Sequence, residues 1–134
     1  MRVHIKVDSG LGRLGVFAEE ALAFTRQTQA AGGILIDGLY SHLAVAEELH
    51  PLNDLQIQRF DRAVQALQAA GLRPRWVHLA NSAAAFYLPQ SRYNLVRIGN
   101  VVLGLRIRVD APLPSDYSPA LAWKAPANVA TRRP

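Results

Sequence analysis

The sequence predicts an α/β fold whose sheet is parallel, and three observations carry that expectation. Short apolar runs at residues 3–7 (VHIKV), 39–42 (within DGLYSHLA), 76–80 (WVHLA) and 95–98 (LVRI) are separated by stretches that read as helix or loop. Parallel neighbours need a crossover, usually a helix, so this alternation is what a parallel sheet demands. Each run also stops at a polar cluster: Lys6 with Arg13, then His42, then Asn81-Ser82, then Arg97-Ile98-Gly99. In a barrel of parallel strands chemistry collects at the strands' C-terminal ends, so one face of one sheet is expected to hold all four clusters.

Taken in order, Val3, Ile5 and Val7 alternate with His4, Lys6 and Asp8, the period of a strand with two different faces. The three glycines of SGLGRLG then let the backbone turn sharply and approach a ligand. Residues 17–31 (FAEEALAFTRQTQAA) have helical composition, with Gly32-Gly33 as the stop. The second strand lies in ILIDGLYSHLA. After a loop containing Pro51, Asn53 or Asp54 is expected to cap a helix on which Ile57, Phe60, Val64 and Leu67 recur at helical spacing and which Gly71 closes. RPRWVHLA supplies the third strand, residues 82–87 a short helix, and NLVRIGNVVLGL the fourth strand with its exit. Beyond Leu105 the stretch RIRVDAPLPSDYSP is rich in proline and charge, as a linker is.

The chain has 134 residues, half of them hydrophobic, enough for one domain with a real core. A closed eight-stranded α/β barrel needs about 250 residues. About four strand-plus-helix units therefore predict a partial TIM-type (β/α) barrel, about half of one. Such a half exposes two sheet edges and an apolar lumen, and is expected to require the missing half or a second copy of itself. The net charge of +5 comes from dispersed arginines with no interleaved aromatic platform, so no nucleic-acid partner is expected. The chain has no cysteine, which removes disulfides and thiolate metal sites, and no histidine pair has ligand spacing, so no metal is expected. No signal-peptide pattern opens it and no apolar run approaches the ~20 residues of a membrane span, which fits a cytoplasmic protein. GLGRLG lacks the GxxxxGK[ST] arrangement of a phosphate-binding loop.

In order and spacing, VHIKVDSGLGRLGV, GLYSHLAVAEE, HLANSAA and NLVRIGNVVLGL resemble successive motifs of the pyridoxal-phosphate-dependent alanine racemases, over about residues 3–125. Several motifs in the right order are far more specific than any one alone. The resemblance implies residues 1–105 as half of a (β/α)8 cofactor-binding barrel, and 106–134 as a linker and the beginning of a truncated C-terminal β domain. It implies an isomerase interconverting L- and D-alanine through pyridoxal 5'-phosphate, for D-alanine and peptidoglycan supply, and a homodimer in the full-length protein.

The same resemblance distributes the cofactor's contacts. Pyridoxal phosphate must be gripped at its phosphate, phenolic oxygen, ring nitrogen and ring face. Ser82 matches the phosphate-contacting serine, with backbone at Gly99 and Asn100; Asn81-Ser82 opens a short helix, where N–H groups and a hydroxyl suit an anion. Arg97 matches the arginine set against the pyridine nitrogen, where many pyridoxal enzymes place a carboxylate. A guanidinium will not give its proton to the ring, which disfavours side reactions such as transamination. His42 matches a histidine supporting the cofactor beside that arginine, and Arg13 the arginine reaching the phenolic oxygen and the substrate carboxylate. Lys6 matches the lysine, carbamylated in many members, that holds that arginine.

No catalytic base is expected among these residues. The family's cofactor-anchoring lysine and its tyrosine base lie in segments that have no match here, and the chain's two lysines, Lys6 and Lys124, both fall elsewhere. The isolated chain is therefore expected to be inactive. A non-catalytic or split-gene half that needs a second chain, and a racemase of broader amino-acid specificity, are the alternatives. Two departures from the family are Asn100, where an aliphatic residue is usual, and Leu103, where an aromatic is.

Overall fold

Four parallel strands form one sheet in the order β2-β1-β3-β4 in a computed structural model that describes residues 1–108, 113–122 and 124. The strands are β1 (Arg2–Asp8), β2 (Val16–Phe17), β3 (Leu35–Tyr40) and β4 (Trp76–His78), and the helices α1 (Ala21–Ala30), α2 (Pro51–Ala69) and α3 (Ser82–Tyr87). The α/β class and the parallel sheet are as the sequence predicts. The expected C-terminal β segment of residues 106–134 lies largely outside the described residues.

The strand that the glycine-rich loop produces is not in the sequence reading. Residues expected to begin a helix at position 17 instead pair Val16 with Val7 and Phe17 with Asp8, and the helix starts at Ala21. Parallel neighbours normally need a crossover of a dozen residues or more. Here the turn is made tight by Asp8, whose carboxylate accepts the N–H groups of Gly10, Leu11 and Gly12 at 2.9–3.1 Å. Gly15 completes it at φ 117°, so close to β1 that a Cβ would fall 2.7 Å from the Lys6 carbonyl. Burial opposes the Asp8 charge, but those N–H bonds outweigh it and hold the carboxyl below its usual range.

α1 ends where expected, at Gly32 and Gly33, both with positive φ. α2 is the helix its apolar spacing predicts: Ile57, Phe60, Ala63 and Leu67 are buried against the sheet. Fully burying Phe60 alone contributes roughly 1.5–3 kcal/mol. Its start differs from expectation, because Pro51 takes the first helical position and the cap is His50, whose Nδ1 accepts the Leu52 N–H. Asn53 instead points inward and donates its amide to the Val45 and Glu48 carbonyls. One turn on, buried Gln56 accepts the Ala44 N–H at 2.8 Å and donates to the His42 carbonyl at 3.1 Å. The loop after β3 is thus pinned by two amide side chains of α2.

The expected fourth strand over residues 95–98 is not a strand. Asn94 takes its place in the ladder: its side-chain oxygen accepts the Val77 N–H at 2.8 Å, and its amide donates to the Arg75 carbonyl at 2.8 Å. Its own N–H reaches the Val77 carbonyl, and farther on Arg97 N–H donates to the Ala80 carbonyl at 3.0 Å. Side-chain bonding thus stands in for the first ladder rungs, and the segment runs extended beside β4 without regular pairing. Within it Val96 and Ile98, and beyond it Val102, Leu103 and Leu105, are exposed, an apolar margin at the open end of the sheet.

Candidate active site

β1 turns His4 and Lys6 toward one face, β3 turns Tyr40 to it, and β4 adds His78. Arg97 reaches in from the extended segment beside β4. Its Nη2 donates to the Ser41 carbonyl at 2.9 Å, to the Leu79 carbonyl at 3.2 Å and to His42 Nδ1 at 3.3 Å. Its Nη1 donates to His78 Nδ1 at 2.6 Å. The guanidinium also lies over the Tyr40 ring, 5.6 Å from its centroid.

Arginine has no acceptor, so both imidazoles must receive at Nδ1 and carry their hydrogen on Nε2. Electrostatics agree. Burial first, and then the Arg97 charge, push the His42 imidazolium below its usual pKa; Arg13 and Lys6 add to this, and Glu47 opposes it. The same two leading causes, with His4, bring His78 down to about 4. Burial lowers Arg97 as well, with Tyr40 opposing. Lys6 is lowered by burial, then by Arg13, with Arg97 adding and Asp8 opposing.

Three cations therefore stand within electrostatic reach of one another at the C-terminal end of the sheet. None of Lys6, Arg13 and Arg97 pairs with a described carboxylate; the ion pair Arg2–Asp37, at 3.3 Å, lies at the other end. Half-buried Arg97 is balanced by carbonyl and imidazole dipoles and the Tyr40 ring, and among the described residues its Nε makes no hydrogen bond. A cation so placed favours an electron-rich partner. Ser82 lies across from it at the start of α3. Its hydroxyl oxygen accepts the Gly99 N–H at 3.0 Å, which leaves the hydroxyl hydrogen to donate elsewhere. Space around Gly99 is open.

The structure thus gathers Lys6, Arg13, His42, Arg97, Ser82 and Gly99 at one end of the sheet. Asn81 is committed differently: its oxygen caps α3 by accepting the Ala84 N–H, and its amide donates to Glu47 at 3.4 Å. Asn100 is exposed, and its carbonyl accepts the Leu105 N–H. The sequence reading left out Ser41, Tyr40, His78, His4 and Gln56. Each is an ordinary strand or helix residue by pattern; only the register of β1, β3 and β4 and the placement of α2 bring it to Arg97, His42 or His78.

Comparison with known proteins places the chain in a family. The model of the alanine racemase N-terminal domain matches residues 1–107. An alanine racemase of Symbiobacterium thermophilum is 39% identical over 124 residues, covering 92% of this chain and 33% of that protein. One of Geobacter sulfurreducens is 46% identical over 107 residues, covering 77% and 28%. The crystal structure of alanine racemase from Bacillus anthracis with bound L-Ala-P superposes with a TM-score of 0.78 at 34% identity, over 89% of this chain and 32% of that one. The chain spans about a third of the length of these relatives. With a parallel sheet, motifs in matching order and this breadth of identity, the chain belongs to the alanine racemase N-terminal domain family.

Proposed function

We propose that the chain is the cofactor-holding half of a barrel in a pyridoxal-phosphate-dependent alanine racemase, a cytoplasmic homodimeric isomerase serving D-alanine and peptidoglycan supply. The observation that carries this reading is Arg97, a guanidinium whose two terminal nitrogens are held by backbone carbonyls and two imidazoles with no described carboxylate beside them. The donor set suits an anionic, electron-rich cofactor: three cations without described carboxylate partners, and a serine hydroxyl with its hydrogen uncommitted.

Pyridoxal phosphate, when bound, supplies the electron sink that makes the substrate Cα–H acidic. The chain's residues bind and orient it. The Ser82 hydroxyl would take the phosphate with backbone at Asn100 beside it, the Gly99 N–H holding the Ser82 oxygen until the phosphate competes for it, and Asn81 shapes the turn that presents Ser82. Arg13 serves the phenolic oxygen and the substrate carboxylate, with Lys6 beside it. Arg97 would hold a hydrogen against the ring nitrogen without surrendering it, because a guanidinium is a very weak acid. His42 fixes Arg97 from one side and is itself fixed through its carbonyl by Gln56. The groups that move protons at the substrate carbon, a lysine and a tyrosine, come from outside these 134 residues, so the chain alone does not turn over.

Residues 1–105 then form the half barrel and 106–134 lead toward a second domain. The apolar margin of Val96, Ile98, Val102, Leu103 and Leu105 supports the need for the other barrel half. Titration of pyridoxal phosphate into the chain, alone and with a lysine-bearing half supplied separately, tests the reading by cofactor absorbance and alanine racemisation. Turnover in the mixture alone is expected. Absence of cofactor binding in both samples contradicts the assignment, and equal turnover of serine redirects it to a broader racemase.

A further inference from the structure

His4 and His78 sit on strands that are not neighbours. β3 lies between β1 and β4, and two strand spacings separate them by about 10 Å. Yet His4 Nδ1 and His78 Nε2 are 2.9 Å apart. The opening is Gly38, which pairs with His4 on one side and Trp76 on the other. A Cβ at Gly38 would fall 2.5 Å from His4 Nδ1, so the imidazole lies across the bare backbone of β3. Tyr40 closes the arrangement, stacked on His78 at 5.0 Å and 9° and edge-on to His4 at 6.5 Å.

The direction of the bonds is forced. Arg97 donates to His78 Nδ1, so the neutral ring must carry its hydrogen on Nε2, and that hydrogen points at His4 Nδ1. The opposite sense would leave His78 accepting at both nitrogens with no hydrogen at all. His4 must in turn carry its hydrogen on Nε2, on the exposed side of the ring. The charged and titratable groups on this face are Lys6 on β1, Arg13 in the loop after it, Tyr40 on β3, and Arg97, with Glu47 near His42. A second proton on His78 would set an N–H against the Arg97 N–H and add a cation to this group, so the chain of bonds exists with both rings neutral.

We propose that His78 and His4 are positioning residues for Arg97: a one-way N–H···N relay, admitted by the missing side chain at Gly38, that fixes the guanidinium at Nη1 while His42 meets Nη2. What Arg97 serves rests on the cofactor reading above; the relay itself does not. Its test is therefore made without cofactor, so that its failure and that of the cofactor reading are separate results.

Long-range ¹⁵N–¹H spectra of the labelled chain at pH 7 are expected to show His78 and His42 neutral with hydrogen on Nε2, and a coupling across the bond from His78 Nε2 to His4 Nδ1. The Arg97 Nη–H signals are expected to be protected from exchange. His4→Leu, which fills space but accepts nothing, is expected to raise Arg97 Nη–H exchange about tenfold, and Gly38→Ala to do the same by displacing His4. His4→Asn, whose side-chain oxygen replaces Nδ1, is expected to restore protection. A hydrogen on His78 Nδ1, a charged His78 at pH 7, or equal exchange in His4→Leu and His4→Asn overturns the proposal. Should Gly38→Ala fail to fold, the tautomers and coupling of the unmodified chain decide it.

Discussion

The phenol of Tyr93 donates to Asp61 on α2 at 2.6 Å, and its ring meets Phe60 edge-on at 5.3 Å. Tyr93 adopts φ 48°, a conformation a bulky side chain rarely takes, so this clasp holds a backbone turn that would otherwise relax. Four residues later comes Arg97. The helix on the outside of the sheet thus fixes where the guanidinium enters the inside.

Tyr93→Phe keeps the ring contact and removes the bond to a carboxylate. Bonds of this kind contribute roughly 1.5–3 kcal/mol, so urea unfolding is expected to show a loss near the lower figure. Burial, and then Asp61, push the phenol above its usual pKa, and its ultraviolet titration should stay incomplete at pH 11. A loss below about 0.3 kcal/mol would mean the turn holds without the clasp.

Asn94 offers a sharper contrast because its two ends do different work. Asn94→Asp retains the acceptor for the Val77 N–H but loses the donor to the Arg75 carbonyl, whereas Asn94→Ala loses both. The alanine variant is expected to cost about 1–2 kcal/mol and to speed amide exchange at Val77 and Arg97; the aspartate variant should spare Val77. Identical exchange in the two variants would refute the strand-substitute role.

Gln56 links α2 to the candidate site. Gln56→Leu preserves its packing but strands the Ala44 N–H and the His42 carbonyl, a loss of roughly 2–4 kcal/mol if water cannot reach them. Thermal unfolding checks the cost, and the His42 ring signals report whether the loop has moved. Unchanged His42 signals would separate Gln56 from the site.

The histidines give stability a definite dependence on pH. Unfolded, His78 titrates near 6.5; folded, it is held at about 4 by burial first, then by Arg97 and His4. The unfolded chain therefore takes up a proton that the folded chain refuses. The stabilisation is full above pH 6.5 and is lost as pH falls toward 4, with His42 acting in the same sense. Urea midpoints are expected to drop between pH 6.5 and 5, before most carboxylates titrate, and His78→Phe should flatten that slope. A level profile in the unmodified chain would contradict the arrangement.

By itself the sequence determined the periodic elements: β1 from its alternation, α2 from the spacing of Ile57, Phe60 and Leu67, and the parallel sheet from the order of runs. It also marked Arg13, His42, Ser82 and Arg97, because a family's motifs are local strings. Elements whose bonding is made by side chains escaped it. Asn53 and Gln56 look like a cap and a solvated helix residue until the loop they pin is seen. Asn94 turns an apolar run into something other than a strand, and Asp8 gathers N–H groups so that Val16 can pair beside it. The encounter of His4 with His78 over Gly38 was decided by the tertiary structure alone. It depends on the register of three strands and on an absent side chain in the middle one, and neither is a property of any short stretch of the chain.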